Sequence, residues 1–305
     1  MRDRAAAEPL VDLSEVAEIE LLILKQMKER TIGDHRSAFK GQGFTFVGLR
    51  DWEPGDRTSS IDWAQSSLTN FSPIVTREFE QPSNAAIVAV ADASPSTRCG
   101  AAGTPIAAAV ARSVASVGLS AVFFQDLFGL ITFDHAFRPV EAVRPRIGKP
   151  HVLHCLDLYL HANGREPDSG RGDLTATIEA HLRRPSLIPV ISDFLFEDAP
   201  RLLADLSLLN AVHDVFLIMV DARFAYDLPD VSAGWVEVFD VETARARVLS
   251  RRELGRLAGR VEEWQAALQR LAREANLDLV RVGLDRWEME NALVQFVAER
   301  RLRKT

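Results

Sequence analysis

The chain has 305 residues, room for one large α/β domain with extensions or for two modest domains. Hydrophobic residues make up 47% and charged residues 26%, an ordinary globular composition that can bury a sizeable core. A formal net charge of -7 and a pI of about 5.6 exclude the global basic field that draws proteins to nucleic acid or anionic lipid.

Ser14 precedes apolar Val16, Ile19, Leu22, Ile23 and Met27 at helical spacing, which predicts a capped helix ending near Arg30, outside the α/β core. The N-terminus MRDRAAAEPL is charged and lacks the apolar run of a secretory leader, so a cytoplasmic protein is expected. A stretch punctuated by glycine and proline follows. Alternation at Phe44, Phe46 and Leu49 predicts a strand, and Pro54-Gly55-Asp56 a turn. Arg50, Asp51, Glu53, Asp56, Arg57 and Asp62 surround Trp52 and Trp63. Two readings stand side by side. Either the tryptophans pack and the charges pair locally, or Trp52, Arg50, Asp56 and Trp63 form a docking surface, since Trp and Arg are favoured at interface hot spots.

From Ala85 strands alternate with helices. Ala86 to Ala91 is a continuous apolar run, as in a strand buried on both faces. Pro105 opens a small-residue helix through Val117; Ser120 to Phe124 and Leu130 to Phe133 read as strands joined by a tight turn. The apolar region Ala101 to Phe133 is broken by Arg112, Gln125 and Asp126, so no membrane span is expected there. His151 to Leu160 reads as helix, as do Thr175 to Leu182 and Pro200 to Leu209; Leu187 to Ile191 and Val215 to Val220 read as strands. Trp235 to Val241 and Arg245 to Leu249 form a predicted hairpin. A long amphipathic helix (Glu253 to Glu274), a strand (Leu279 to Val282) and a helix (Trp287 to Arg301) complete the chain. The alternation predicts a mostly parallel sheet with helices on both faces. Three segments result: an N-terminal helical segment over 1–40, a β-extension over 41–84 and an α/β domain over 85–305.

Ligands of such sheets bind outside the carboxyl ends of the strands. Two acids fall at such ends: Asp92, within Asp92-Ala93-Ser94-Pro95-Ser96, and Asp193, after LIPVIS. One carboxylate and two hydroxyls at alternate positions can point three oxygens at one spot. Hard cations take oxygen ligands, and Mg²⁺ takes one or two carboxylates while keeping several waters. The bland alternative is loop capping, because Asp and Ser side chains readily bond neighbouring backbone N–H groups. Cys99 and Cys155 have no metal-ligand spacing and are expected to be reduced thiols. The histidines form no HxxxH pair with a carboxylate.

The segment GLRDWEPGDRTSSIDWAQSS, then DASPS, VISDF, HDVFLIMVDARFAYDLPDV and FDVETARARV, come in one order over most of the chain. In that order they resemble the bacterial family called domain of unknown function 58, whose first signature is similar to LRxYxPGDxxRxIDWxxSAR. The resemblance implies a von Willebrand factor A-like (Rossmann-like) α/β core. It also implies association with a MoxR-type AAA+ ATPase that acts on a client protein. By analogy with the metal-ion-dependent adhesion site of A domains, Asp92, Ser94 and Ser96 would hold a magnesium ion, with Asp193 beside them. The threonine that completes such a site is replaced: Gly172 stands where it is expected, and only a shifted loop would present Thr175.

No GxSxG, GxxxxGK[ST] or strand-linked GxGxxG is present. The enzyme rival is a haloacid dehalogenase-like phosphatase with Asp92 as nucleophile. That chemistry needs an acid two residues on to protonate the leaving group, and Ser94 stands there. The expected function is therefore a non-enzymatic adaptor or partner of the ATPase, with a structural scaffold carrying a vestigial metal site as the alternative.

Overall fold

The computed structural model describes residues 10–33, 45–53, 61–80, 85–101, 104–163, 172–223, 235–240, 245–283 and 289–296. They divide into two compact units, Met1–Gln26 with Ala85–Thr305, and Met27–Asn84. Phe44, the Pro54-Gly55-Asp56 turn, most of the loop before Gly172 and Trp287 lie outside the described residues.

The larger unit is built on one six-stranded sheet. Its strands are β3 (Ala86–Asp92), β6 (Leu127–Phe133), β7 (Pro139–Arg146), β8 (Leu187–Ser192), β9 (Asp214–Val220) and β12 (Asp278–Val282), in the order β12-β9-β8-β3-β6-β7. All neighbours are parallel except β7, which returns antiparallel along β6 and closes one edge. β3 and β9 are buried at every residue, as apolar runs covered on both faces must be. β7 alternates between exposed and half-buried residues, the pattern of a strand with one wet face.

Val88, Val90, Ile131, Phe133, Val190 and Leu217 share one core with α5 (Leu174–His181), α6 (Ala199–Leu209) and α7 (Arg251–Glu274). On the other face α3 (Ile106–Phe123) crosses the centre of the sheet and α4 (Lys149–Asn163) packs beside it, with Gly118 of α3 against Val152 and Phe128. Each large apolar side chain fully buried this way contributes about 1.5–3 kcal/mol. α3 is long and apolar enough to cross a bilayer, and 89% of it is buried inside the fold. It runs on through Ser120 to Phe123, where the sequence suggested a strand. Ser113 and Ser120 tie their hydroxyls to carbonyls four residues back, which satisfies them inside the helix, and Gln125 at φ 59 makes the turn.

The N-terminal helix α1 (Leu13–Gly33) is capped by Asp12, which accepts from the Glu15 N–H at 2.8 Å; Ser14, the cap suggested by sequence, bonds Asp12 instead. Its first half packs into the larger unit through Val16, Ile19, Leu22 and Ile23. A buried ion pair, Arg112 Nη2 to Glu15 Oε1 at 3.1 Å, joins it to α3. The helix that the sequence set apart from the α/β core is thus partly one of its layers. The hairpin β10 (Trp235–Asp240) and β11 (Arg245–Ser250) runs directly into α7, whose cap is reciprocal: Ser250 Oγ accepts from the Glu253 N–H, and Glu253 accepts from Ser250. Residues 289–296, α8, are helical and place Phe296 5.1 Å from Phe216.

The smaller unit holds the antiparallel pair β1 (Thr45–Asp51) and β2 (Val75–Glu80), with the short helix α2 (Trp63–Leu68) between them. The remaining strands, β4 (Gly100–Ala101) and β5 (Thr104–Pro105), form a minimal pair ahead of α3.

Candidate functional site

Strand ends bring carboxylates together. β3 lies between β6 and β8, so Asp92, at the end of β3, is flanked by Asp134 just past β6 and Asp193 just past β8. Asp221, just past β9, extends the row. The sequence reading named two of these four acids; Asp134 and Asp221 follow apolar runs in the same way and carried the same signal.

Asp92 is fully buried. Its Oδ1 accepts from the Ser94 N–H at 2.8 Å and from the Ser94 hydroxyl; its Oδ2 accepts from the Ser192 hydroxyl. Ser192 Oγ in turn accepts from the Phe194 N–H at 2.8 Å. Burial pushes the Asp92 carboxyl above its ordinary range, against the hydrogen bonds of Ser192 and Ser94 that pull it down. Tyr159, from α4, donates its hydroxyl to the Asp92 carbonyl at 2.8 Å. Burial raises the Tyr159 phenol well above its ordinary value, and the charges of Asp92 and Asp193 add to that shift.

The loop after β3 is held equally tightly. Ser94 takes ψ 151, the extended value that a residue before proline adopts, and Pro95 opens a 3₁₀ turn over Pro95–Arg98. Thr97 Oγ1 donates to the Ser94 carbonyl at 2.7 Å and accepts from Asn163 Nδ2 at 2.6 Å. Ser96 is half-buried within this turn, and its carbonyl accepts from the Cys99 N–H at 3.0 Å. Asp193 is 1% exposed, and its Oδ1 accepts from the Leu195 N–H at 3.0 Å. Asp134 Oδ2 accepts from both Nε and Nη2 of Arg138, at 3.0 and 2.6 Å, and its Oδ1 accepts from the Ala136 and Arg138 N–H groups at 2.9 and 3.1 Å.

Position 172, where the resemblance would place the threonine of an adhesion-type site, is closed to a side chain. Gly172 donates its N–H to the Ala136 carbonyl at 2.8 Å, and a Cβ there would lie 2.4 Å from the Phe137 carbonyl oxygen and 2.6 Å from Arg138 Cα. Thr175 gives its hydroxyl to Asp173 Oδ1 at 2.8 Å, part of the cap of α5. It lines an open cleft of about 460 Å³ with Phe137, Gly172, Arg201, Leu202 and Asp205.

The second set of predicted residues lies in the smaller unit. Trp63 is 59% exposed at the start of α2, whose cap is Asp62, accepting from the Ala64 and Gln65 N–H groups at 3.1 Å. Trp52 is half-buried, and its backbone N–H donates to the Ile74 carbonyl at 2.7 Å. The Arg50 side chain and Asp56 lie outside the described residues.

Residues 48–267 match the family described as protein of unknown function DUF58. The chain belongs to that family. The match opens in the GLRDWEPGD segment and takes in all four strand-end acids of this DUF58 chain. Uncharacterized protein Rv1480 of Mycobacterium tuberculosis and uncharacterized protein Mb1516 of Mycobacterium bovis are each 29% identical to it over 303 residues, covering 93% of this chain and 88% of theirs. Two solved chains align with it at 14% identity. BatB from Bacteroides thetaiotaomicron covers 71% of this chain and 98% of its own, with a TM-score of 0.43. An aerotolerance-related membrane protein from Bacteroides fragilis, carrying multiple mutations to serines, covers 71% and 100%, with a TM-score of 0.41.

The donor set of this DUF58 site is rich in hydroxyls. Among the described residues no cluster of three or more His, Cys, Asp or Glu side chains is placed to hold a metal. What the strand ends offer a cation is serine oxygen with carboxylate behind it. A hydroxyl that gives its hydrogen to a carboxylate turns its lone pairs elsewhere, and those of Ser94 suit a hard cation.

Proposed function

We propose that this DUF58 chain is a non-enzymatic, cytoplasmic interaction module whose Asp92 strand end takes a magnesium ion. Asp92, Ser94, Ser96 and Asp193 would hold the ion. An ion with so few protein ligands keeps coordination positions that an acidic side chain of a partner can fill, which turns cation binding into partner binding. The partner proposed is a MoxR-type AAA+ ATPase that acts on a client protein. The observation that supports this reading best is the convergence on Asp92: the neighbouring strands β3 and β8 end in Asp92 and Asp193, and the hydroxyls of Ser94 and Ser192 both point their hydrogens at the Asp92 carboxylate. In Asp92, full burial of a carboxylate among neutral donors favours a compensating positive charge.

Gly172 supports the second reading, a scaffold whose metal site is vestigial, because the Phe137–Arg138 backbone fills the space a threonine side chain would need. Recovery of partners on tagged protein separates the two, in Mg²⁺, in EDTA and with Asp92→Ala. An ATPase retained in Mg²⁺ and lost in both controls is the expected result. Equal recovery in all three would establish the scaffold and move attention to Trp63. Phosphatase turnover that disappears in Asp92→Asn would overturn both.

A further inference from the structure

The loop that carries Asp193 is held by a helix as well as by the sheet. Gln265, in the middle of α7, is fully buried. Its Nε2 donates to the Asp193 carbonyl at 3.0 Å and to the Val220 carbonyl at 2.9 Å, so one amide ties the ends of β8 and β9. Its Oε1 accepts from Arg281 Nη2 in β12 at 3.2 Å, and the same guanidinium forms a two-pronged pair with Glu262, one turn earlier in α7. Trp264 adds a third strut, its indole N–H donating to the Phe194 carbonyl at 2.8 Å.

Phe194 needs such support. It sits at φ 55, a left-handed conformation that a bulky residue keeps only where its surroundings enforce it. Its N–H is taken by Ser192, its carbonyl by Trp264, and its ring lies 6.3 Å from that of Phe196. The next N–H, of Leu195, orients the Asp193 carboxylate. A chain of contacts therefore runs from the interior of α7 to the direction in which Asp193 points.

We infer that Trp264 and Gln265 are the positioning residues of the Asp193 loop, so that α7 sets where the second carboxylate stands beside Asp92. The consequence for cation affinity rests on the magnesium reading above; the positioning itself does not. Trp264→Phe keeps an aromatic ring, smaller than indole, and removes the N–H; Gln265→Met keeps the length and removes both donors. Leu254→Ala, which opens a cavity earlier in α7, destabilises the helix without touching the loop.

The Leu195 amide is read by hydrogen exchange, referenced to Val88 in β3. Both donor-removing variants are expected to speed Leu195 exchange at least tenfold over that reference, and Leu254→Ala to leave the ratio unchanged. An unchanged ratio in Trp264→Phe and Gln265→Met, or an equal rise in Leu254→Ala, overturns the inference. Magnesium titration by calorimetry on the same proteins is expected to show a tenfold or greater loss of affinity in the two variants alone. A wild-type chain that binds no magnesium sinks the cation reading while the exchange ratio still decides the positioning.

Discussion

A threonine at position 172 would press its Cβ into the Phe137 carbonyl, so the backbone after Asp134 would have to move to admit it. Gly172→Thr is expected to cost about 1–3 kcal/mol in urea unfolding, the usual range for overpacking a closed site, and to bring no gain in magnesium affinity. Asp92 supplies a pH signature. Burial raises its folded value above the ordinary 3.8, so between the two values the folded chain binds more protons than the unfolded one. Stability is then lost as pH climbs through that window, and the loss is complete above the folded value. Asp92→Asn cannot ionise and escapes it. In EDTA the Asn variant is expected to gain Tm relative to wild type as pH rises from about 4 towards 7, and magnesium is expected to raise Tm only in wild type. Parallel Tm curves for the two proteins would show that the Asp92 charge does not matter to the fold. Asp92, Ser94 and Asp193 were legible because a strand end announces itself in local sequence. Ser192 and Tyr159 were not, since their bonds to Asp92 span 100 and 67 residues.

Elements were legible where apolar period and length agreed, as in β3, β9 and α7. They were misread where composition was ambiguous. Ser120 to Phe124 is β-prone in isolation, yet it finishes α3 because the helix needs that length to cross the sheet. β7 escaped notice because Pro139-Val-Glu-Ala-Val-Arg-Pro-Arg carries two prolines, which an edge strand tolerates. The docking of α1 could not be read from its own amphipathic stripe, since its polar anchor lies 97 residues away in α3. Arg112→Met is expected to cost about 3–5 kcal/mol, because it strips a buried carboxylate of its guanidinium. The double variant Glu15→Met with Arg112→Met is expected to recover much of that. A double-mutant cycle in urea checks it, and strict additivity would show that the pair contributes no coupling.

At the scale of the molecule, the sheet is unevenly stitched. The Ser186 carbonyl accepts from Asp214 in β9, and bonding direction alternates along a strand, so Leu187, Pro189 and Ile191 face β3. Pro189 has no N–H to give. The pairing of β3 with β8 is recorded at Ile87–Leu187, Val90–Val190 and Ala91–Ile191, with a gap at the proline, whereas β8 pairs β9 at six consecutive positions. Pro189→Val is expected to add one ladder bond and raise stability by about 0.5–1.5 kcal/mol, measured by urea midpoint. No rise would mean that β3 already satisfies its acceptor there. The gap falls between the two strands that end in Asp92 and Asp193. Under tension across the sheet, that is the line along which two plates would part, β7-β6-β3 from β8-β9-β12. Anything that grips both carboxylates at once fastens the seam, so the sheet's resistance to shear would report occupancy of its edge.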